Sequence, residues 1–120
     1  MLGTEGLVLA VRALGILASH SDGVLSSDRL GELLATNPVV IRRLLGRLRW
    51  DGLVETRRGR AGGYALAREP ERIGLGRLHR ALDRRRSEQT ASSTLAAALD
   101  AAEAAYVEEL DRWTVAQTAR

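Results

Sequence analysis

The stretch "NPVVIRRLLGRLRWDGLVETRRGRAGGYALA", residues 37–67, decides the fold. Over 38–50 its apolar residues recur at helical spacing, with Val40 or Ile41, then Leu44, Leu45 and Leu48 on one face. Val39, Arg42, Arg43, Gly46, Arg47 and Arg49 fall on the other. Asn37 is placed to cap this helix, and Pro38 suits its first position, where the missing N–H would have no partner anyway. Asp51-Gly52 supplies the stop. The period then changes to two: Leu53–Arg58 and Tyr64–Ala67 alternate around the glycine-rich Gly59–Gly63, the pattern of a β-hairpin. Arg57, Arg58 and Arg60 stand at its tip, where a cation cannot help a core.

Upstream, "SSDRLGELLA" at 26–35 starts a shorter helix, with Ser26 as N-cap, Asp28 in the first turn, and Leu30, Leu33 and Leu34 facing inward. Two short helices joined by the turn at "TNP", the second one arginine-rich outside, form a helix-turn-helix pattern, and the hairpin that follows makes it a winged helix. Residues 4–20 read as a first helix capped by Thr4, with Leu7, Val8, Val11, Leu14, Leu17 and Ala18 at helical spacing. Leu9, Ala13 and Ile16 make it apolar on more than one side, which points to a partner surface.

Beyond Glu69-Pro70, "IGLGRLHRALDRRR" gives another helix with Leu75, Leu78 and Leu82 on one side. A Ser/Thr-rich patch at 87–94 reads as a linker. A long helix over about 93–117 then carries Leu95, Leu99, Ala102, Tyr106, Leu110 and Trp113, spaced four, three, four, four and three apart, a coiled-coil-like seam. A winged helix of this size cannot cover so long a helix, so the seam predicts a homodimer. The expected architecture is mostly α with a small β-hairpin wing. It comprises a winged helix-turn-helix over 1–86, then a linker and a C-terminal dimerisation helix over 87–120.

Composition narrows the function. The 120 residues contain no Cys, which excludes disulfides, thiolate nucleophiles and cysteine-held iron–sulfur clusters. All 18 basic side chains are Arg; without Lys there is no phosphate-loop lysine and no Schiff-base chemistry. Arg is a poor acid–base catalyst and a good ligand for phosphate and guanine. Seven arginines against Asp51 and Glu55 give +5 between 42 and 60, whereas Asp100, Glu103, Glu108, Glu109 and Asp111 face no basic residue between 100 and 111. A charge run is usually a solvated face, but here helix and hairpin are basic and contiguous, which points to nucleic acid. No pair of titratable residues has a telling spacing, so an enzyme is not expected.

His20 and His79 read as structural or exposed residues, since nothing in their spacing joins them with carboxylates; neither metal nor cofactor is expected. Trp50 is expected to pack under the wing. No apolar run approaches a membrane span, and Glu5 and Arg12 interrupt the N-terminal apolar stretch, so no signal peptide is read and the expected location is the cytoplasm.

On "LAVRALGILA" at 9–18 and on residues 30–82, above all "LRWDGLVETRRGRAGGYALAREPERIGL", the chain resembles the IscR-like and NsrR-like winged-helix regulators of the Rrf family. The resemblance implies a homodimer held by long C-terminal helices that binds a palindromic double-stranded DNA operator, usually as a repressor. It places base-reading positions on Asn37, Val39, Val40, Arg42 and Arg43, and a wing arginine on Arg58. Pro38, Arg47, Arg57 and Arg60 complete the expected DNA-binding set. Where many members have Pro and Gly in the wing, this chain has Arg60 and Ala61. Where sensing members carry cysteines, it has "DRRRSEQTASST", so the signal, an effector of unknown identity, cannot be read from it. Tyr106 and Trp113 could line an effector cavity, though on a seam such residues are more often core. Two other readings compete: a winged-helix module that docks on protein, and a MarR-like regulator, which would need longer helices before the helix-turn-helix.

Overall fold

Helix α1, Gly3–Ser19, packs against the three helices of the winged helix, its second wing strand and the last short helix in the computed structural model, which describes residues 3–60, 62–83 and 94–119. Ala61 and residues 87–93 of the expected linker lie outside the described residues. Leu7, Ala10, Val11, Ala13, Leu14 and Leu17 of α1 are buried. Val8 and Ala18, expected inward, are exposed. Each lies about 100° around the helix from a buried neighbour, and the buried stripe is centred on Leu14.

Helix α2, Ser27–Leu34, begins at Ser26, whose hydroxyl accepts the Arg29 N–H at 3.1 Å. Leu30 and Leu34 are buried, but Leu33 is on the solvent side. Helix α3, Pro38–Trp50, begins at Asn37, whose Oδ1 accepts the Val39 N–H at 2.9 Å. Ile41, not Val40, joins Leu44, Leu45 and Leu48 in the core. Gly52, at φ 77°, then turns the chain, and the Leu53 N–H donates to the Leu48 carbonyl at 2.9 Å.

The wing consists of β1, Val54–Arg57, and β2, Gly63–Leu66, antiparallel with Val54 opposite Leu66 and Arg57 opposite Gly63. Its base is pinned from outside the hairpin: Leu25 and Tyr64 exchange backbone hydrogen bonds of 3.0 and 2.7 Å. The wing is thereby fixed to the segment that leads into α2. A short 3₁₀ turn, Pro70–Arg72, precedes α4, Leu75–Leu82, whose Leu75, Leu78 and Leu82 are buried as the spacing predicts.

The single helix expected over 93–117 is two helices. Helix α5, Thr94–Leu110, stops where Asp111 is needed elsewhere. Gly74, the residue before α4, has no side chain to cap it, and the Asp111 carboxylate accepts the Arg77 N–H at 3.2 Å instead. Leu75 N–H donates to the Trp113 carbonyl at 3.0 Å, and Val115 N–H to that of Ile73 at 2.9 Å. Thr114 and Gln117 then form a capping box that starts α6, Val115–Thr118. Val115 is fully buried, so the end of the chain contributes to the core. Trp113 is therefore not on the helix that carries Leu95 and Leu99.

All buried side chains among the described residues are aliphatic, and no polar or charged residue is buried. Helices α4 and α5 approach each other through Gly76, where a methyl group would run into the Asp111 carboxylate and the Val107 carbonyl. At Gly46 in α3 a methyl group would meet nothing within 4 Å. The two sites give a matched test. Gly76→Ala should destabilise by about 1–3 kcal/mol through overpacking. Gly46→Ala should stabilise by about 0.5–1 kcal/mol, because it restricts the unfolded chain and improves helix propensity. Urea unfolding of both variants checks the signs.

Candidate nucleic-acid interface

Burial of one face of α3 leaves the other to solvent. Val39 and Val40 are 44% and 39% exposed, and Arg42, Arg43 and Arg49 are exposed beside them. Asn37, at the helix start, uses its side-chain oxygen as the cap, which leaves its amide NH₂ to donate outward. Pro38 is half-buried. The first turn of α3 also presents the positive end of the helix dipole, a natural seat for a phosphate.

The arginines do not all behave alike. Arg42 Nη1 lies 3.4 Å from Ser27 Oγ and 3.7 Å from Asp28 Oδ1. Both partners are at the start of α2, and the pair is half-exposed, so it holds the guanidinium weakly. Arg47 is engaged elsewhere: its Nη1 donates to the Leu82 carbonyl at 2.8 Å, at the end of α4. Arg77, which the sequence did not single out, donates from α4 to the Asp51 carbonyl at 3.0 Å, at the end of α3. These two guanidinium struts fix α3 against α4 by satisfying carbonyls that helix ends leave open. Their sequence signal is only a basic residue near a helix end, which is too common to notice.

Trp50 is 74% exposed and does not pack under the wing. It lies two positions past the buried Leu48, about 200° around the helix and so on the far side. In the wing, Arg57 pairs with Glu55 at 3.0 Å, both on one face of β1. Arg58 and Arg60 are exposed and make no hydrogen bond or ion pair among the described residues. Gly59, at φ 108°, and the Gly62 N–H to Gly59 carbonyl bond of 3.0 Å turn the tip around them.

The C-terminal helix has two faces. Val107 is buried against the rest of the chain, with Glu103 and Leu110 half-buried beside it and Ala96 half-buried near the helix start. Leu95, Leu99, Ala102 and Tyr106 are exposed, Leu95 at 69%. Of the residues expected on one seam, Leu110 thus packs against the chain's own core, and Trp113 stands exposed beyond the helix end. His20 sits by Asp22 at 3.4 Å, in solvent. His79 is a structural residue, as one of the two expectations had it: Glu103 and Asp83 both face it. The one-turn spacing of His79 and Asp83 is a sequence signal for that pair, whereas Glu103 arrives only through the packing of α5 on α4. No helix among the described residues is long and apolar enough to cross a membrane.

Comparison with known proteins agrees with this architecture. The model of the Rrf2 family, described as an iron-dependent transcriptional regulator, matches residues 4–120. A Mycobacterium tuberculosis protein that carries the name of an HTH-type transcriptional regulator is 39% identical over 75 residues, which is 62% of this chain and 47% of that protein. The match thus spans about half the length of that relative. Among solved structures, IscR of T. potens is 31% identical, with a TM-score of 0.72 over 98% of this chain and 84% of its own. CymR of B. subtilis is 23% identical and shares the fold, with a TM-score of 0.72 over 99% and 95%. A thiolate-held iron cluster does not fit this chain, which has no cysteine. With the family model spanning nearly the whole winged helix and C-terminal segment, the chain belongs to the Rrf2 family of transcriptional regulators.

Proposed function

We propose that the protein is a homodimeric repressor that binds a palindromic double-stranded DNA operator through α3 and the wing. The observation that carries this reading is the outward face of α3: four core residues, Ile41, Leu44, Leu45 and Leu48, oblige Val39, Val40, Arg42 and Arg43 to face solvent. A helix of this kind fits a major groove, with the apolar pair against thymine methyls and a guanidinium on guanine. Asn37 and Pro38 sit at its leading end. Arg58 and Arg60 reach the flanking backbone or minor groove, and Arg57 joins them once it leaves Glu55. Arg47, tied to Leu82, supports α3 and contributes charge more than a direct contact.

One exposed apolar strip supports the dimer: Leu95, Leu99, Ala102 and Tyr106 on α5. On α1 only Val8 adds to it, in a shallow groove of about 340 Å³ with Thr4, Glu5, Leu9 and Arg12, since Ala13 is buried and Leu9 and Ile16 pack against the chain's own core. Leu110 would flank the α5 strip and Trp113 would extend it from beyond the helix end. Asp100, Glu108 and Glu109 are exposed around α5, and their negative charge would keep this helix away from DNA. Such a regulator would work in the cytoplasm. It would answer to an effector other than a thiol or a cysteine-held cluster.

Selection of bound fragments from genomic DNA supplies the operator, and three outcomes follow. Operator affinity should fall about 10³–10⁵-fold between 50 and 200 mM salt, as expected for roughly 6–10 phosphates per dimer; an affinity that hardly changes refutes the phosphate-binding face. Arg42→Ala should weaken operator binding by about 1–3 kcal/mol and relax the preference at one base pair. Arg60→Ala should instead weaken all sequences alike, so matching profiles for the two variants on a set of mismatched operators would refute this division.

The dimer is tested separately. Leu95→Asp with Leu99→Asp changes residues that are exposed in the single chain, so the fold should persist. Light scattering should then find a monomer, with operator binding lost although every DNA-facing arginine remains. A wild-type protein that is monomeric at micromolar concentration, yet binds its full operator tightly, would overturn the dimer.

A further inference from the structure

Three side chains with ligand chemistry meet where α4 ends against α5. His79 Nε2 lies 2.6 Å from Glu103 Oε1 and 4.0 Å from Asp83 Oδ2. One donor atom from each of the three residues lies within 4.8 Å of the others. The His79 side chain is only 12% exposed, and its ring meets Tyr106 edge-on at a centroid distance of 4.9 Å. The imidazole is thus held in one plane, with the same nitrogen turned to both carboxylates.

That arrangement is poorly explained as an ion pair alone. Nε2 carries at most one proton and so serves one carboxylate, here Glu103. The Asp83 oxygen at 4.0 Å is beyond hydrogen-bond range of it. Asp83 is also the C-cap of α4, where the helix dipole is negative and a carboxylate is unfavourable.

We propose that His79, Asp83 and Glu103 bind one first-row divalent cation of the zinc, iron(II) or manganese(II) type, tying α4 to α5. One imidazole nitrogen and two carboxylate oxygens suit such ions better than calcium or magnesium, which prefer oxygen alone, or copper(I), which prefers sulfur. Metal–ligand bonds of about 2.0–2.2 Å put tetrahedral ligand atoms about 3.3–3.6 Å apart. The observed 2.6 and 4.0 Å lie on either side of that value, and all three donor atoms are within 4.8 Å of one another, so the three side chains are close enough to share one ion after adjustment. Three protein ligands leave a position for water or another donor. The ion would bridge residues 24 apart in sequence and reinforce the packing that orients α5. Binding of the ion does not depend on the DNA-binding reading; only an effect of the ion on operator affinity rests on it.

The test uses the full 120-residue chain, dialysed against chelator and titrated by calorimetry with Zn²⁺ and, separately, Mn²⁺. One ion per chain should bind, Zn²⁺ with a Kd of about 1 μM or tighter and Mn²⁺ more weakly, with millimolar Mg²⁺ unable to compete. Asp83→Asn and Glu103→Gln should each weaken Zn²⁺ binding about tenfold or more. Asp83 is partly exposed at a helix end, so its variant should keep the helical circular dichroism and remain interpretable even if Glu103→Gln unfolds. Glu32→Gln, exposed on α2 and far from the cluster, should change nothing. Absence of binding tighter than about 1 mM, or Zn²⁺ binding unchanged in Asp83→Asn, overturns the proposal. Failure of the protein to bind any DNA would count against the regulatory reading alone, because the titration decides the metal site whether or not DNA binds.

Discussion

The one-sided burial of α3 is the constraint on which the rest of the molecule depends. Ile41, Leu44, Leu45 and Leu48 are all less than 2% exposed, and each large aliphatic side chain removed from water stabilises the fold by roughly 1.5–3 kcal/mol. Turning the helix by one position would drive Arg42 and Arg49 into a core with no polar partner to receive them. The rotational setting of α3 is thus fixed by its apolar side, and the polar side inherits its direction. The struts from Arg47 to Leu82 and from Arg77 to Asp51 then fix its tilt relative to α4.

A second constraint comes from the end of the chain. Helix α4 has a glycine at its N-cap and borrows a carboxylate from Asp111, thirty-four residues away from Arg77. Backbone bonds from Leu75 and Val115 complete the join, and Gly76 allows the close approach. These contacts explain why α5 ends at Leu110 although the following residues would support more helix: the backbone has stronger local partners than the next helical turn.

What was legible in the sequence follows a physical rule. The helix-turn-helix and wing are local, and their signals are short: a cap at Ser26, Asn37-Pro38, Asp51-Gly52, and a change of period at Leu53. The family resemblance rests above all on the same stretch, with residues 9–18 and the segment through residue 82. Features made by long-range packing were misread. Val8 and Leu33 are apolar but lie off the buried stripe, and Trp50 falls on the far side of α3 from Leu48. The break after Leu110 depends on Gly74, whose lack of a side chain gives no hint of which distant carboxylate replaces it. Arg47 looked like its neighbours, because spacing alone cannot tell an outward guanidinium from one that bends to a carbonyl of another helix. His79 looked solitary because Glu103 reaches it only across the α4–α5 contact.

The placement of those contacts along α5 has a mechanical consequence. The helix is roughly 25 Å long, and its fully buried Val107 and the Glu103 bond to α4 lie in its second half, with Asp111 just past its end. It is therefore mounted like a cantilever, clamped at the base and projecting at Leu95 and Leu99. A tilt of about 5° at the clamp displaces the tip by roughly 2 Å, enough to change which side chains meet across a packed surface. Because the clamp includes the N-terminus of α4, and α4 is tied to α3 by two arginines, the base of α5 and the outward face of α3 share one support.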